Sequence, residues 1–247
     1  MGKAIYKPEG AAAEYSEWAC NLYNGCINGC DYCYNNHGVM GGTLGGTTVS
    51  LKKTLIDENT AFEIFKREID RWKDLIVADG RLHFNFVSDP CLPQTIDLNW
   101  KCIDYAISQC VPVQVLTKRA DWLSHSAVQN ALSNEQGLVA VGFTLTGQDA
   151  HEPFASPNAD RINAMKFLHS NGVPTWGSIE PIIDTNSSYN MIAQTVGHCD
   201  HYKIGIISGV KMPYTPKQIR DFVKAVNGLG LQNIYWKQSL IAYSQKP

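Results

Sequence analysis

Short apolar runs alternate with helix-period segments along most of this chain, and that alternation restricts the fold more than any other feature. "RLHFNFVS", "VPVQVLT", "GLVAVGFTLT", "PTWGSIEPII", "HYKIGIIS" and "NIYWKQSL" read as strands, and "EWACNLY" as an earlier one. Between them lie amphipathic stretches. In "NTAFEIFKREIDRWKDLI" the residues Phe62, Phe65, Ile69, Trp72 and Ile76 recur at three- and four-residue steps, which gives one helix face. "NADRINAMKFLHSNG" reads as a helix with Asn158 as its cap and Gly172 closing it. Six or seven βα units imply a parallel sheet covered by helices. An open doubly wound sheet and a full or partial barrel both satisfy the pattern. In either, functional groups gather at the C-terminal strand ends. No linker, low-complexity run or repeat interrupts residues 1–247, so one domain with a core of about 15–240 is expected.

Composition narrows the classes. The 247 residues are 44% hydrophobic, enough for one large core, and the formal charge of −2 lacks the positive field of a non-specific phosphate binder. No apolar run is long enough to span a membrane, and "MGKAIYKPEG" lacks the apolar core of a signal peptide. A cytoplasmic location is the expectation, where eight cysteines argue for metal or redox chemistry rather than disulfides.

Three of those cysteines, Cys26, Cys30 and Cys33, fall in "NLYNGCINGCDYCYNNHG", which follows the first expected strand. Thiolates this close bind zinc or an iron–sulfur cluster. With His37 they form a Cys-x3-Cys-x2-Cys-x3-His zinc set. A 4Fe-4S cluster held by three cysteines keeps one iron open to a ligand, and Gly25 and Gly29 would let the backbone approach it. Cys20, Cys102, Cys110 and Cys199 read as small buried hydrophobes. "GGTLGGTT", residues 41–48, lacks the Lys-Ser/Thr of a P-loop and reads as a lid or a close-packed loop beside the cysteines.

The Cys-x3-Cys-x2-Cys spacing with Tyr32 before its last cysteine resembles the signature of the radical S-adenosylmethionine (SAM) superfamily. "VSDPCLP", "VLTKR", "FTLTG" and "SIEPIID" follow on successive strands, and with the loop they resemble the spore-photoproduct-lyase-like branch over residues 15–210. The resemblance implies a single-domain partial (β/α)6-type parallel barrel. It also implies a 4Fe-4S cluster on Cys26, Cys30 and Cys33 that cleaves SAM reductively, giving a 5′-deoxyadenosyl radical for hydrogen abstraction. In that frame Tyr32 packs near the adenine. Ser88 and Asp89 accept from the methionine amino group, and Lys118 meets its carboxylate. Thr144, which shares a strand face with Thr146, reaches the ribose. Ser178 and Glu180 share a face, and a carboxylate in so apolar a strand must bond SAM, substrate or Lys118.

Spore photoproduct lyase carries a hydrogen-donor cysteine just before its Ser-Asp pair, where this chain has Phe86-Val87. Cys91, three residues after Ser88, is the candidate replacement, against the plainer reading of a buried hydrophobe. Lys211, Tyr214, Tyr235 and Lys237 fall at the last strand ends, as pocket walls or edge packing. The implied partners are a small-molecule, nucleotide or peptide substrate and an electron donor such as flavodoxin or ferredoxin. Nucleic acid is not favoured, because no basic stripe is present. The rival reading is a non-catalytic iron–sulfur or zinc protein that uses the loop as electron carrier or structural clip.

Overall fold

The structure, a computed structural model, describes residues 2–37, 41–133, 137–208 and 212–247. Among them ten strands and eight α-helices alternate. A short edge strand β1 (Ile5–Tyr6) precedes β2 (Trp18–Cys20). The ribbon strands β3 (Tyr23–Asn24) and β4 (Ser50–Leu51) flank a short α1 (Gly41–Leu44). Then come α2 (Glu58–Asp79), β5 (Leu82–Phe84), α3 (Ile96–Ser108), β6 (Val113–Thr117) and α4 (Ser126–Ser133). They are followed by β7 (Val139–Thr144), α5 (Asn158–Ser170), β8 (Thr175–Ile182), α6 (Thr185–Thr195) and β9 (His201–Ile206). The chain closes with α7 (Pro216–Asn227), β10 (Ile234–Trp236) and α8 (Gln238–Ser244).

Strand order separates the two architectures that the pattern left open. The main sheet runs β1-β2-β5-β6-β7-β8-β9-β10, and every pair from β2 onward is parallel. A doubly wound sheet reverses its strand order at a switch point. This one never reverses, so each crossover winds the same way and the sheet curls as a barrel. The terminal strands β1 and β10 are not paired with each other, so the barrel is partial.

Local signals account for most boundaries. Asp57 caps α2 by accepting from the Thr60 N–H at 2.8 Å, and the helix buries Ala61, Ile64, Phe65, Ile69 and Ile76 against the sheet. Thr215 and Gln218 form a reciprocal capping box at the start of α7, with Pro216 in its first turn. β7 is buried along its whole length, as a strand covered on both faces must be.

Two expectations change. Asn158 does not cap α5. It is the first helical residue, 3% exposed, and its side-chain oxygen accepts the Thr146 N–H at 3.1 Å, tying the helix to the end of β7. "EWACNLY" is not one strand either. Trp18–Cys20 joins the barrel, whereas Tyr23–Asn24 turns out to pair with β4 and closes the base of the segment that carries the cysteines. Among the described residues no helix is long and apolar enough to cross a membrane.

Candidate active site

The cysteine loop leaves the C-terminal end of β2 and is held by its own backbone. Gly25 and Gly29 adopt φ of +75° and +67°, a region that disfavours side chains. Their closeness serves protein packing rather than a cluster. A Cβ on Gly25 would lie 2.2 Å from the Thr48 carbonyl oxygen, and one on Gly29 would lie 2.6 Å from the Phe154 ring. The glycine-rich stretch packs behind the loop. Gly25 N–H donates to Leu44 O and Cys26 N–H to Gly46 O, both at 3.0 Å, and Gly46 N–H donates to Asn36 Oδ1 at 2.8 Å. It is a close-packed backing.

All three thiols are free and line one cavity of about 460 Å³. Tyr32, Ser88, Asp89, Lys118, Thr144, Ser178 and Glu180 line the same cavity, although they come from five separate strand ends and loops. Burial pushes the Cys26 thiol up to about 12, with Asp89 adding to it, and burial also raises that of Cys30. A thiol in this setting gives up its proton when a cation takes its place. Among the described residues no group of three or more His, Cys, Asp or Glu converges on a single ion. A cubane seats its thiolates on separate irons, so its ligands need not converge on one point.

The wall beside the cysteines divides into saturated and unpartnered groups. Asp89, 7% exposed, is saturated: Oδ1 accepts from Thr117 Oγ1 at 2.7 Å and Cys91 N–H at 3.0 Å. Its Oδ2 accepts from Asn28 Nδ2 at 2.9 Å and Lys118 N–H at 2.8 Å. An ionised carboxylate has about four acceptor positions, and all are used. Asp89 therefore ties the cysteine loop to the ends of β5 and β6 instead of facing a ligand. Ser88 Oγ, Asn28 Oδ1 and Asn85 Oδ1 are buried without partners, and all three residues line the cavity. Such atoms are costly unless something bonds them. The Lys118 ammonium makes no ion pair among the described residues and lies 5.5 Å from the Tyr32 ring centroid.

Three groups that the sequence did not single out, the buried Glu152 and Arg161 and the half-buried Tyr15, hold this arrangement. Tyr32 donates to Glu152, whose other oxygen takes Arg161 Nη2 at 2.6 Å, with both members of the ion pair fully buried. Arg161 also donates to the carbonyls of Ser156 and Thr144 at 2.7 and 2.8 Å. Thr146, the partner of Thr144 by strand parity, bonds Glu152 at 3.2 Å and stays off the cavity wall. The third group is Tyr15, which donates to Glu180 Oε2 at 2.5 Å and shares a 2.7 Å bond with Ser178 Oγ. Glu152 sits in the polar loop "TGQDAHEPFASPNAD", where nothing in the sequence sets it apart from a solvated carboxylate.

Glu180 is paired, but with Lys237 rather than Lys118. The Lys237 ammonium lies 3.0 and 2.8 Å from its two oxygens. Glu180 lines the cavity two residues after Ser178, and the β8–β9 register slips beside it, with three steps on β8 between Ile179 and Ile182 against two on β9. Cys91 falls outside the cavity. It is 2% exposed in the core, beside Trp100 and Thr117, where burial raises its thiol well above the usual range. The Cys91 backbone faces Asp89 because the Ser-Asp-Pro turn folds inward there, and its side chain is left in the core.

Cys20 and Cys102 are buried as expected and Cys199 is half-buried, whereas Cys110 is exposed, at φ +58° after α3. Tyr214 packs with its hydroxyl on Ile182 O, and Tyr235 is 40% exposed with its hydroxyl on Glu14, so neither lines the cavity. His37 is exposed and its ring meets Asp31 O at 3.2 Å. Lys211 lies outside the described residues.

No family model matches the chain. An uncharacterized protein of Methanocaldococcus jannaschii is 27% identical over 172 residues, which is 68% of this chain and 61% of that protein. Among solved structures, a spore photoproduct lyase variant superposes with a TM-score of 0.66 at 14% identity, over 90% of this chain and 76% of its own. Another lyase variant, with bound S-adenosylmethionine and dinucleoside spore photoproduct, gives a TM-score of 0.61 at 15% identity over 87% of this chain. Streptococcus suis SuiB bound to S-adenosylmethionine gives 0.61 at 12% identity over 90% of this chain and 52% of its own. The chain spans 61% of the Methanocaldococcus protein and 61% of that ligand-bound lyase variant. It shares its partial parallel barrel with spore photoproduct lyase and SuiB.

Proposed function

We propose that this protein is a radical SAM enzyme in which Cys26, Cys30 and Cys33 hold a 4Fe-4S cluster and the adjoining wall holds SAM. One observation carries the reading: three free cysteines share a cavity with unpartnered buried acceptors and an ammonium that has no counter-ion among the described residues. The chemistry supplied when both are bound is reductive cleavage of the sulfonium C–S bond, giving a 5′-deoxyadenosyl radical for hydrogen abstraction. Its electron comes from a donor of the flavodoxin or ferredoxin kind.

The chain's own groups do the binding. Ser88 Oγ and Asn28 Oδ1 are acceptors for the methionine ammonium, and Lys118 is the cation for its carboxylate. Thr144 offers a hydroxyl to the ribose, and Tyr32, fixed by Glu152, offers a ring beside the adenine. Asp89 frames these groups through its four bonds. Ser178 and Glu180 act on the same wall through Tyr15.

The test is anaerobic reconstitution with iron and sulfide, followed by SAM and dithionite. Loaded protein should release 5′-deoxyadenosine, and Cys26→Ala, Cys30→Ala and Cys33→Ala should each lose the product together with most of the iron. A fully loaded cluster that yields no 5′-deoxyadenosine would overturn this reading and favour an electron carrier. Stoichiometric zinc with no cluster would establish a structural clip.

A further inference from the structure

The cavity has walls that the cofactor assignments leave unused, and the N-terminal segment builds part of them. Between β1 and β2 the strap Glu9–Tyr15 crosses toward the far edge of the sheet. Lys203 Nζ, from β9, donates to Glu14 O and Tyr15 O at 2.8 and 2.6 Å. Gln114, from β6, donates to Tyr15 O at 2.9 Å, and Lys237 donates to Ala11 O at 3.0 Å. Tyr235 and the Gln238 N–H both bond the Glu14 carboxylate, at 3.1 and 2.8 Å. The strap therefore bridges the unpaired edges of the barrel and places Ala11, Ala12 and Tyr15 on the cavity wall with Phe86, Ile206 and Ile207.

The charges beside these residues cancel. Glu180 accepts three bonds, one from Tyr15 and two from Lys237. The three Lys237 protons are used on Ala11 O and the two Glu180 oxygens. Gly205 makes the pairing possible, since a Cβ there would lie 2.7 Å from Glu180 Cδ and 2.9 Å from Lys237 Cδ. Of the other charged residues described on the wall, Asp89 is saturated, Lys118 serves the SAM side and Glu9 is exposed to solvent.

We propose that this part of the cavity receives an uncharged, largely apolar substrate group. In this arrangement Glu180 and Lys237 position Tyr15 and do not bind a charged substrate. The proposal rests on SAM occupying the cysteine side, and it disfavours a phosphate-bearing nucleotide: on this part of the wall the one described cation, Lys237, is paired, and Lys203 lies off the wall with its ammonium on the Glu14 and Tyr15 carbonyls.

The test uses the full chain, saturated with SAM, in ligand-observed NMR titrations with indole and with thymidine 5′-monophosphate. Indole should bind saturably, and the nucleotide at least about tenfold more weakly. Ala12→Asp should weaken indole about tenfold, and Glu180→Gln, which leaves Lys237 without its counter-charge, should strengthen the nucleotide about tenfold. Wild-type protein that fails to bind indole, or that binds the nucleotide as tightly, overturns the proposal without any variant. Equilibrium dialysis with SAM on the same samples separates the two readings. SAM bound without indole removes the substrate class alone, and failure to bind SAM removes both.

Discussion

Replacing Asp89 tests whether a single carboxylate ties the cysteine loop to the barrel. In Asp89→Asn one oxygen becomes an NH2 group, and the amide must turn it toward one pair of the four donors. The least costly orientation faces Thr117, whose hydroxyl can accept, and it leaves the buried Cys91 N–H without a partner. An orphaned buried donor costs about 1–3 kcal/mol. The bonds from Asn28 and Lys118 also lose their charge assistance, at about 0.5–1 kcal/mol each, which brings the total to about 3 kcal/mol. Asp89→Ala abandons all four donors, and at about 1.5 kcal/mol each the loss is about 6 kcal/mol. Urea unfolding of the reduced chain, followed by circular dichroism, measures both. Because the loop is tied through Asn28, the Asn variant should also take up less iron on reconstitution. An Asp89→Asn protein within about 1 kcal/mol of wild type would refute the strut, since no arrangement of an amide satisfies all four donors.

Cys91→Ala should cost about 1–2 kcal/mol as a small core truncation and leave 5′-deoxyadenosine release unchanged, because the thiol lies off the cavity. A changed product distribution at a normal rate of SAM cleavage would restore it as a hydrogen donor. Gly25→Ala should destabilise by more than about 3 kcal/mol, since its Cβ meets a backbone oxygen, whereas Gly29→Ala, whose Cβ meets the exposed Phe154 ring, should cost only about 1–2 kcal/mol. Equal losses would contradict the contact argument. His83, buried within the barrel, has its pKa lowered to about 3, chiefly by burial and further by Lys203. The unfolded chain takes up a proton near pH 6.5 and the folded chain does not, so this contribution is intact above pH 6.5 and is lost progressively toward pH 3. By pH 4.5 the loss should amount to about 3 kcal/mol, and His83→Gln should flatten that part of the stability profile.

Much of the fold was legible in the sequence because it depends on near-neighbour patterns. Short apolar runs and period-3.6 apolar spacing fell where β5 to β9 and their helices form, and a parallel sheet follows from their alternation. The cysteine loop was equally local, with its three thiols inside eight residues. Strand parity placed Thr144, Ser178 and Glu180 on a common interior, and all three line the cavity. The choice of barrel over doubly wound sheet depended instead on strand order, which joins residues far apart in the chain and leaves no periodic trace.

Partner choice was equally hidden. Nothing near Glu180 in sequence points to Lys237, 57 residues away, or to Tyr15, 165 residues away in the other direction. Asp89 read as a ligand for an amine until four donors from three segments were seen to fill it. Cys91 read either as a donor thiol or as a small buried hydrophobe, and its burial beside Trp100 and Thr117 gives the second. A residue's type and spacing determine which interactions it can make. Which of them it makes is decided by what the closed barrel brings within about 3 Å, because hydrogen bonds and ion pairs are short-ranged and are satisfied first by whatever is buried alongside.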